Sequence, residues 1–404
     1  MNESALKLQC PYQADRTVSR QSLKKVSIKG YYTMRVLHKI GFVILVIAVV
    51  IGSIATYAPA LFFKIPNVGF ILWAMTGGAM PPFIITGPFD SGNNDWLKDG
   101  DVVVSAAAKS GTTWMLFCSH QIRTKGNDEK HPFADVSLST PWPEFIQTPG
   151  ESWETHQREK MNTTILPDGT SLKDYWDHKD YPFRIFKSHN HPDQFGDLIG
   201  NGGKGKKIKF LAMARNGLDQ VASMTPFFNG HIDEFRTLWG GFPPLTTWRT
   251  TREDAAERME ELKPGGLLAN LSFPYVNKWW KVKDDENVLL IHYADAKADL
   301  SGTVSKLAEF YSVELTTKEH TDIVEKCGLK YMKRHEHMFR YTLPLNTDFK
   351  ASIMKTGSMI RKGENGDGKD LFTDEQKETW RLLEEELYGD DPRKLEWARH
   401  GNKL

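Results

Sequence analysis

The chain has 404 residues, 40% hydrophobic and 25% charged, which is a globular composition and not a disordered one. Lys and Arg total 52 against 51 Asp and Glu, a net charge of +1, which argues against a whole-protein field built for nucleic acid and leaves any anion site local. Three cysteines, Cys10, Cys118 and Cys327, exclude a disulfide scaffold, and no Cys-x-x-Cys pair points to structural zinc.

Residues 1–39 read as a basic, disordered tail, with Lys7, Arg16, Arg20, Lys24, Lys25, Lys29, Arg35 and Lys39 against Glu3 and Asp15. A transmembrane helix is expected over 40–64. Gly41 to Phe63 is a 23-residue run without a charge, bracketed by Lys39 and Lys64. A helix of that length crosses the ~30 Å of a bilayer's hydrocarbon. An apolar, membrane-proximal segment follows over 65–93. Pro66, Gly77-Gly78, Pro81-Pro82 and Gly87-Pro88 interrupt it, so it reads as an apolar entry into the soluble domain rather than a second span. Only Lys64 stands between the run and Asp90, so the positive-inside rule keeps the tail cytoplasmic. The rest of the chain then lies in the lumen of the secretory pathway (Golgi or ER). A second span within 65–89 would return it to the cytosolic face. Asn162-Thr163-Thr164 and Asn270-Leu271-Ser272 are glycosylation sequons, usable only in the lumen.

From about Asn94 the pattern becomes α/β. Short apolar runs at Asp101–Ala106, Arg184–Phe186, Ile208–Met213 and Asn287–Ile291 read as buried strands. Helical stretches at Thr112–Arg123, Asp219–Met224 and Ser301–Tyr311 alternate with them. This alternation predicts a P-loop-like three-layer α/β fold, a central parallel sheet covered by helices. Residues 225–285, with Trp239, Trp248, Trp279 and Trp280, read as a helical insertion, and Asp374–Leu387 as a charged amphipathic helix.

The sharpest local signal is Lys109-Ser110-Gly111-Thr112-Thr113-Trp114, directly after the first strand. A strand, a tight loop and a helix start make an anion cradle, because the backbone N–H groups and the helix dipole both favour negative charge. A nucleoside-triphosphate P-loop needs Gly-x-x-x-x-Gly-Lys-Ser/Thr. Here the lysine precedes the glycine and Ala106-Ala107-Ala108 replaces the glycines, so phosphate binding is expected and ATP hydrolysis is not.

This loop resembles the 5′-phosphosulfate loop of the cytosolic-type sulfotransferases, with Ala107-Ala108 where the family has Tyr-Pro. Lys187-Ser188-His189 resembles the Lys-Thr-His that carries the family's catalytic base. Ala214-Arg215-Asn216 with Asp219 and Ser223 resembles the 3′-phosphate motif. Tyr293 with Asp295 matches the Tyr-x-Asp after a late strand. Arg361-Lys362-Gly363-x-x-Gly366-Asp367, with Lys369 and Phe372-Thr373, matches the C-terminal loop. Together these span roughly residues 95–385 and imply a sulfotransferase domain over 94–400. Three further sites depart from the pattern. Cys327-Gly328-Leu329 replaces an adenine-contacting Thr-Ser-Phe, Gly368 replaces a tryptophan, and Asp374 replaces the valine of a dimerisation motif.

The resemblance implies a donor, 3′-phosphoadenosine 5′-phosphosulfate, and in-line displacement on sulfur by an acceptor hydroxyl or amine. Such a step needs a base near the acceptor and a cation at the bridging oxygen. His189, with an ordinary pKa of ~6.5, suits the base and Lys109 the cation. Lys187 lies two residues from His189, so on a strand both share a face. Arg215 and Arg361 offer fork geometry for the 3′-phosphate. The expected catalytic residues are Lys109, Lys187, His189 and Ser223, with Ser223 holding Lys109 back until acceptor binds. The expected donor-binding residues are Lys109, Ser110, Gly111, Thr112, Thr113, Trp114, Arg215, Ser223, Tyr293, Arg361, Lys362 and Gly363. No metal and no nucleic acid are expected; the partners are a small-molecule, lipid or glycan acceptor and the membrane. A kinase-like phosphoryl-group enzyme and a non-catalytic, membrane-tethered nucleotide-binding protein are the alternatives.

Overall fold

The computed structural model describes residues 40–75, 81–90, 92–153, 158–166, 168–199, 206–243, 269–343, 351–363, 365–366, 368 and 371–401. The basic tail, Trp248, Asp367, Lys369 and the side chains of Asn270 and Leu271 lie outside the described residues. The chain divides into two units, 1–59 and 60–404.

Of the first unit, helix α1 (Ile40–Tyr57) is described. It is 18 residues long, with a mean hydropathy of 2.5, and none of its residues is buried. At 1.5 Å per residue it is about 27 Å long. The expected run to Phe63 is corrected, because the helix stops at Tyr57. Pro59 drives the residue before it out of the α region, so Ala58 breaks the helix.

Helix α2 (Pro59–Phe62) starts at the last residue of the first unit, and α3 (Val68–Met75) lies in the second. Eight residues are too short for α3 to cross a bilayer, and among the described residues only α1 is long and apolar enough. Instead α3 packs on the domain. Trp73 lies 6.0 Å from Phe228 and 5.3 Å from Phe242 between ring centres. Gly69 sits so close to the chain at Trp239 that a Cβ there would lie 1.9 Å from its carbonyl oxygen.

The core is a parallel sheet in the order β2-β1-β3-β4, made of β1 (Val102–Ala106), β2 (Ile185–Ser188), β3 (Lys209–Ala214) and β4 (Val288–His292). Every residue of β1 and β2 is buried, as expected of strands covered on both faces. The carboxylate of Asp101 takes the Arg184 Nε–H at 2.8 Å and pins the N-terminal ends of β1 and β2 together. The chain passes from β1 to β2 on one side, then to β3 on the other. This order makes the C-terminal end of β1 a topological switch point, where open α/β sheets bind their ligands. Helix α4 (Thr112–Arg123) starts there. Further helices cover the sheet, among them Gly217–Asn229, Ala269–Lys281, Leu300–Tyr311, Thr317–Cys327 and Asp374–Tyr388. Of the expected aromatic insertion, Trp239 and Trp279 are fully buried core, and Trp280 packs on Trp397 at 5.4 Å.

Candidate active site

The turn after β1 is shaped by two residues with left-handed backbone, Lys109 (φ 64°) and Gly111 (φ 104°). The Ser110 N–H closes it on the Ala107 carbonyl at 3.0 Å. Gly111 caps α4, and a Cβ there would lie 3.1 Å from Met213 Sδ and from the Tyr293 ring. The turn thus exposes the N-terminal N–H groups of a 12-residue helix to a cavity of about 420 Å³.

Lys109, Gly111, Thr112, Thr113, Trp114, Lys187, His189, Arg215, Ser223, Tyr293, Arg361, Lys362 and Gly363 all line that cavity. Ser110 does not; its side chain is fully buried beneath the loop, and its hydroxyl has no partner among the described residues. Residues from five separate stretches of chain therefore converge.

One half of the cavity is cationic. Burial pushes the Lys109 ammonium down to about 7, and the Arg215 and Arg361 guanidiniums add to the shift. Its Nζ lies 4.1 Å from the centre of the Phe227 ring, four residues beyond Ser223 on the same helix. Arg215 stacks on Tyr293 at 4.6 Å and lies 3.9 Å from Asp219. Asp219 in turn accepts the N–H groups of Gly366 (2.8 Å) and Gly368 (2.9 Å), which ties the Arg361 loop to the Arg215 helix. Gly368, unexpected beside the family's tryptophan, has no room for a side chain: a Cβ would lie 2.7 Å from Leu218 Cβ. At Cys327 the expected hydroxyl is missing, and its backbone carbonyl accepts the Trp114 indole N–H at 2.8 Å.

At the end of β2, His189 Nδ1 lies 2.6 Å from the Ala106 carbonyl. A carbonyl only accepts, so Nδ1 carries the proton and Nε2 keeps its lone pair. Burial drives the imidazole down to about 3, with the Lys187 and Lys109 charges adding to it. The ordinary value of ~6.5 is thereby corrected. His189 is neutral, as a base must be, throughout the physiological range. Lys187 is held well below its usual range by burial. It donates to Tyr341 Oη at 2.8 Å and lies 3.6 Å from the centre of the Trp142 ring. His191, two residues on, has its Nε2 3.1 Å from the Lys278 ammonium.

Sequence reasoning missed Trp142, Phe227 and Tyr341, which hold the Lys109 and Lys187 ammonium groups, and Glu144, which bonds the Ser188 hydroxyl. No local pattern marks these residues. Tyr341 carries one signal visible only in the backbone, a left-handed φ of 58° at a non-glycine position. The remaining wall is apolar: Phe83, Phe145, Phe228, Phe242 and Met354 line it.

A family model, "Sulfotransferase domain", matches residues 99–391. The chain belongs to the sulfotransferase domain family. Rat sulfotransferase 2A1 is 25% identical over 302 residues, 74% of this chain and 89% of the relative. Bovine sulfotransferase 1A1 is 26% identical over 281 residues, 69% of this chain and 80% of the relative. The crystal structure of retinol dehydratase in complex with androsterone and inactive cofactor PAP shares the fold, with a TM-score of 0.52 at 18% identity over 76% of this chain and 85% of that one. The protein is thus a sulfotransferase enzyme, and neither the kinase-like nor the non-catalytic alternative is favoured.

Proposed function

We propose that this sulfotransferase takes its sulfuryl group from 3′-phosphoadenosine 5′-phosphosulfate and delivers it to the hydroxyl of a small apolar acceptor. The observation that carries this reading is a single cavity with a cationic half and an apolar half, and with His189 and Lys187 among its lining residues. The cationic half fits a nucleotide carrying two phosphate groups. Lys109, Arg215 and Arg361 are close enough that the two guanidiniums depress the lysine, a strain that a bound polyanion relieves. The donor supplies the sulfuryl group and a phosphate leaving oxygen. The α4 N–H groups, Ser110 within the turn, Thr112 and Thr113 bind its 5′ end, and Lys109 and Lys187 stabilise the charge that develops on the leaving oxygen. Arg215, Arg361, Lys362 and Gly363 hold the 3′-phosphate, while Trp114 and Tyr293 flank the base. His189 Nε2 accepts the acceptor's proton. Ser223, one turn before Phe227, sets where the Lys109 side chain rests. No metal enters this scheme.

The test uses labelled donor, a panel of apolar alcohols and phenols, and the product nucleotide PAP. Wild type should transfer label, and His189→Ala should bind PAP normally without transfer. Arg215→Ala should lose ~2 kcal/mol for PAP and far less for the 3′-dephospho nucleotide, as for a charged hydrogen bond. Equal losses for both nucleotides would move the 3′-phosphate clamp elsewhere.

We also propose that α1 anchors the enzyme with its tail in the cytosol and its catalytic domain in the lumen. All its side-chain hydroxyls but Tyr57's bond back into the helix, Ser53 to the Val49 carbonyl (2.8 Å) and Thr56 to the Gly52 carbonyl (2.9 Å), as lipid requires. Asn162 is exposed and so open to glycosylation. The domain should resist protease in sealed microsomes, and an Asn162→Gln variant should lose a glycan. Digestion of residues 90 onward in sealed vesicles refutes the luminal placement and favours the cytosolic face.

A further inference from the structure

Glu144 stands outside the sulfotransferase motifs and does not line the cavity, yet it is 1% exposed, directly behind the end of β2. Its backbone is fixed there, because its carbonyl accepts the Ile85 N–H at 2.8 Å. One carboxylate oxygen, Oε1, accepts the Ser188 hydroxyl. The other, Oε2, is buried and has no hydrogen-bond partner among the described residues. A buried carboxylate left half-satisfied costs stability, so its retention calls for a use.

Two connections lead from it to the catalytic groups. Ser188 accepts the Asn190 N–H at 3.0 Å, which holds the backbone on both sides of His189. The Asn190 carbonyl is gripped in turn by the Ser105 hydroxyl (2.5 Å) and the Trp279 indole N–H (3.3 Å). The second connection is electrostatic. Glu144 is the one group whose charge favours the cationic form of Lys187, against burial and the charge of Lys109. The other groups that face Lys187 are the Trp142 ring, the Tyr341 hydroxyl and, two residues on, neutral His189. The attraction is mutual: burial raises the Glu144 carboxyl to about 8, against the Ser188 hydroxyl bond and the Lys187 charge, which lower it.

We infer that Glu144 is a positioning residue for sulfuryl transfer, which seats the His189 turn through Ser188 and places a buried carboxyl behind Lys187 as its counter-charge. This rests on the sulfotransferase reading for its kinetic consequence but not for its electrostatic one. The two arms of the argument separate by substitution. Glu144→Gln keeps an acceptor for the Ser188 hydroxyl and removes the charge. Ser188→Ala keeps the charge and removes the link to the His189 turn.

The experiment has a kinetic and a spectroscopic reading on the full chain. In Glu144→Gln, kcat should fall ~10–100-fold, the cost of a misplaced or discharged catalytic group, while PAP affinity stays within about twofold. Its alkaline limb should move to lower pH, because Lys187 loses its proton earlier without the facing anion. In Ser188→Ala, kcat should fall with that limb unmoved. The ¹⁵N resonance of Lys187 Nζ, identified by its loss in Lys187→Arg, should titrate at lower pH in Glu144→Gln than in wild type. That titration needs no substrate, so it tests the counter-charge even if the donor or acceptor is misread. An unchanged Lys187 midpoint in a folded Glu144→Gln protein overturns the inference, as does wild-type kcat in that variant. If Glu144→Gln does not fold, Glu144→Asp keeps the charge on a shorter arm. It should then retain the Lys187 midpoint while losing kcat, and a shifted midpoint there overturns the counter-charge.

Discussion

Lys109 gives the most direct test of the cationic half. In the free enzyme its ammonium is held near pKa 7 by burial and by Arg215 and Arg361. At pH 8, ~0.9 of free molecules therefore lack this proton, and at pH 6 only ~0.1 do. A bound nucleotide brings phosphate charge to the same lysine and returns it toward its ordinary ~10.5. Binding of PAP should then take up ~0.9 proton through Lys109 at pH 8 and almost none at pH 6. By the same linkage, PAP affinity should fall ~10-fold, or ~1.4 kcal/mol, for each pH unit above 7 until the bound-state pKa is reached. Calorimetry in two buffers of different ionisation enthalpy reads the proton count. Lys109→Ala should remove the pH 8 uptake by nearly one proton. If wild type and Lys109→Ala take up the same number of protons at pH 8, Lys109 is not the group facing the phosphate.

His189 is already neutral in the fold, with its pKa near 3, so activity on the free enzyme should stay level from pH 7 down to pH 5; an acid limb centred near 6.5 that disappears in His189→Ala would contradict this. Gly368→Trp, which restores the family residue, should lower thermal stability by ~1–3 kcal/mol through overpacking on Leu218, read as a drop in Tm; an unchanged Tm means the loop has room. Asp219→Ala should weaken PAP binding without contacting it, because it frees the Gly366 and Gly368 N–H groups; equal PAP affinity in the two proteins would show that the loop holds without the latch.

Much of this was legible in the sequence. The β-branched run at Val102–Val104 and the apolar runs before Arg215 and Tyr293 are short and bounded by turn residues, so their strands could be placed to within a few positions. The Lys109 loop was legible because a left-handed glycine, a lysine and paired threonines are all local features. What stayed hidden is non-local. Lys187 meets Tyr341 across 154 residues, and Ser188 meets Glu144 across 44, with no periodicity to announce either contact. The protonation state of His189 also escaped, because it depends on burial and on two lysines that only the fold brings near. The end of α1 was misplaced for a simpler reason: composition alone runs on to Phe63, whereas Pro59 acts on backbone geometry, and Phe62 and Phe63 are buried in the second unit.

The departures from the family pattern gain a common physical meaning at the donor side. The Arg361 loop is laid down against the helix that starts at Gly217, with Asp219 gripping two of its N–H groups and Leu218 leaving no space at Gly368. The same loop meets Leu329 at its other end, where a Cβ on Gly363 would lie 2.9 Å from Leu329 Cδ2. The space that a tryptophan would fill at Gly368 is thus closed by Leu218, and the Leu329 side chain, which stands in place of the family's phenylalanine, packs against Gly363. Aromatic surface in this part of the cavity comes from Trp114, locked to the Cys327 carbonyl, and from Tyr293, whose ring lies 5.5 Å from it. Because Arg215 stacks on that same Tyr293, the base and 3′-phosphate contacts proposed above would share one aromatic support. With the donor placed as proposed, a change at Tyr293 should reach both ends of the nucleotide, whereas a change at Leu329 should reach only one.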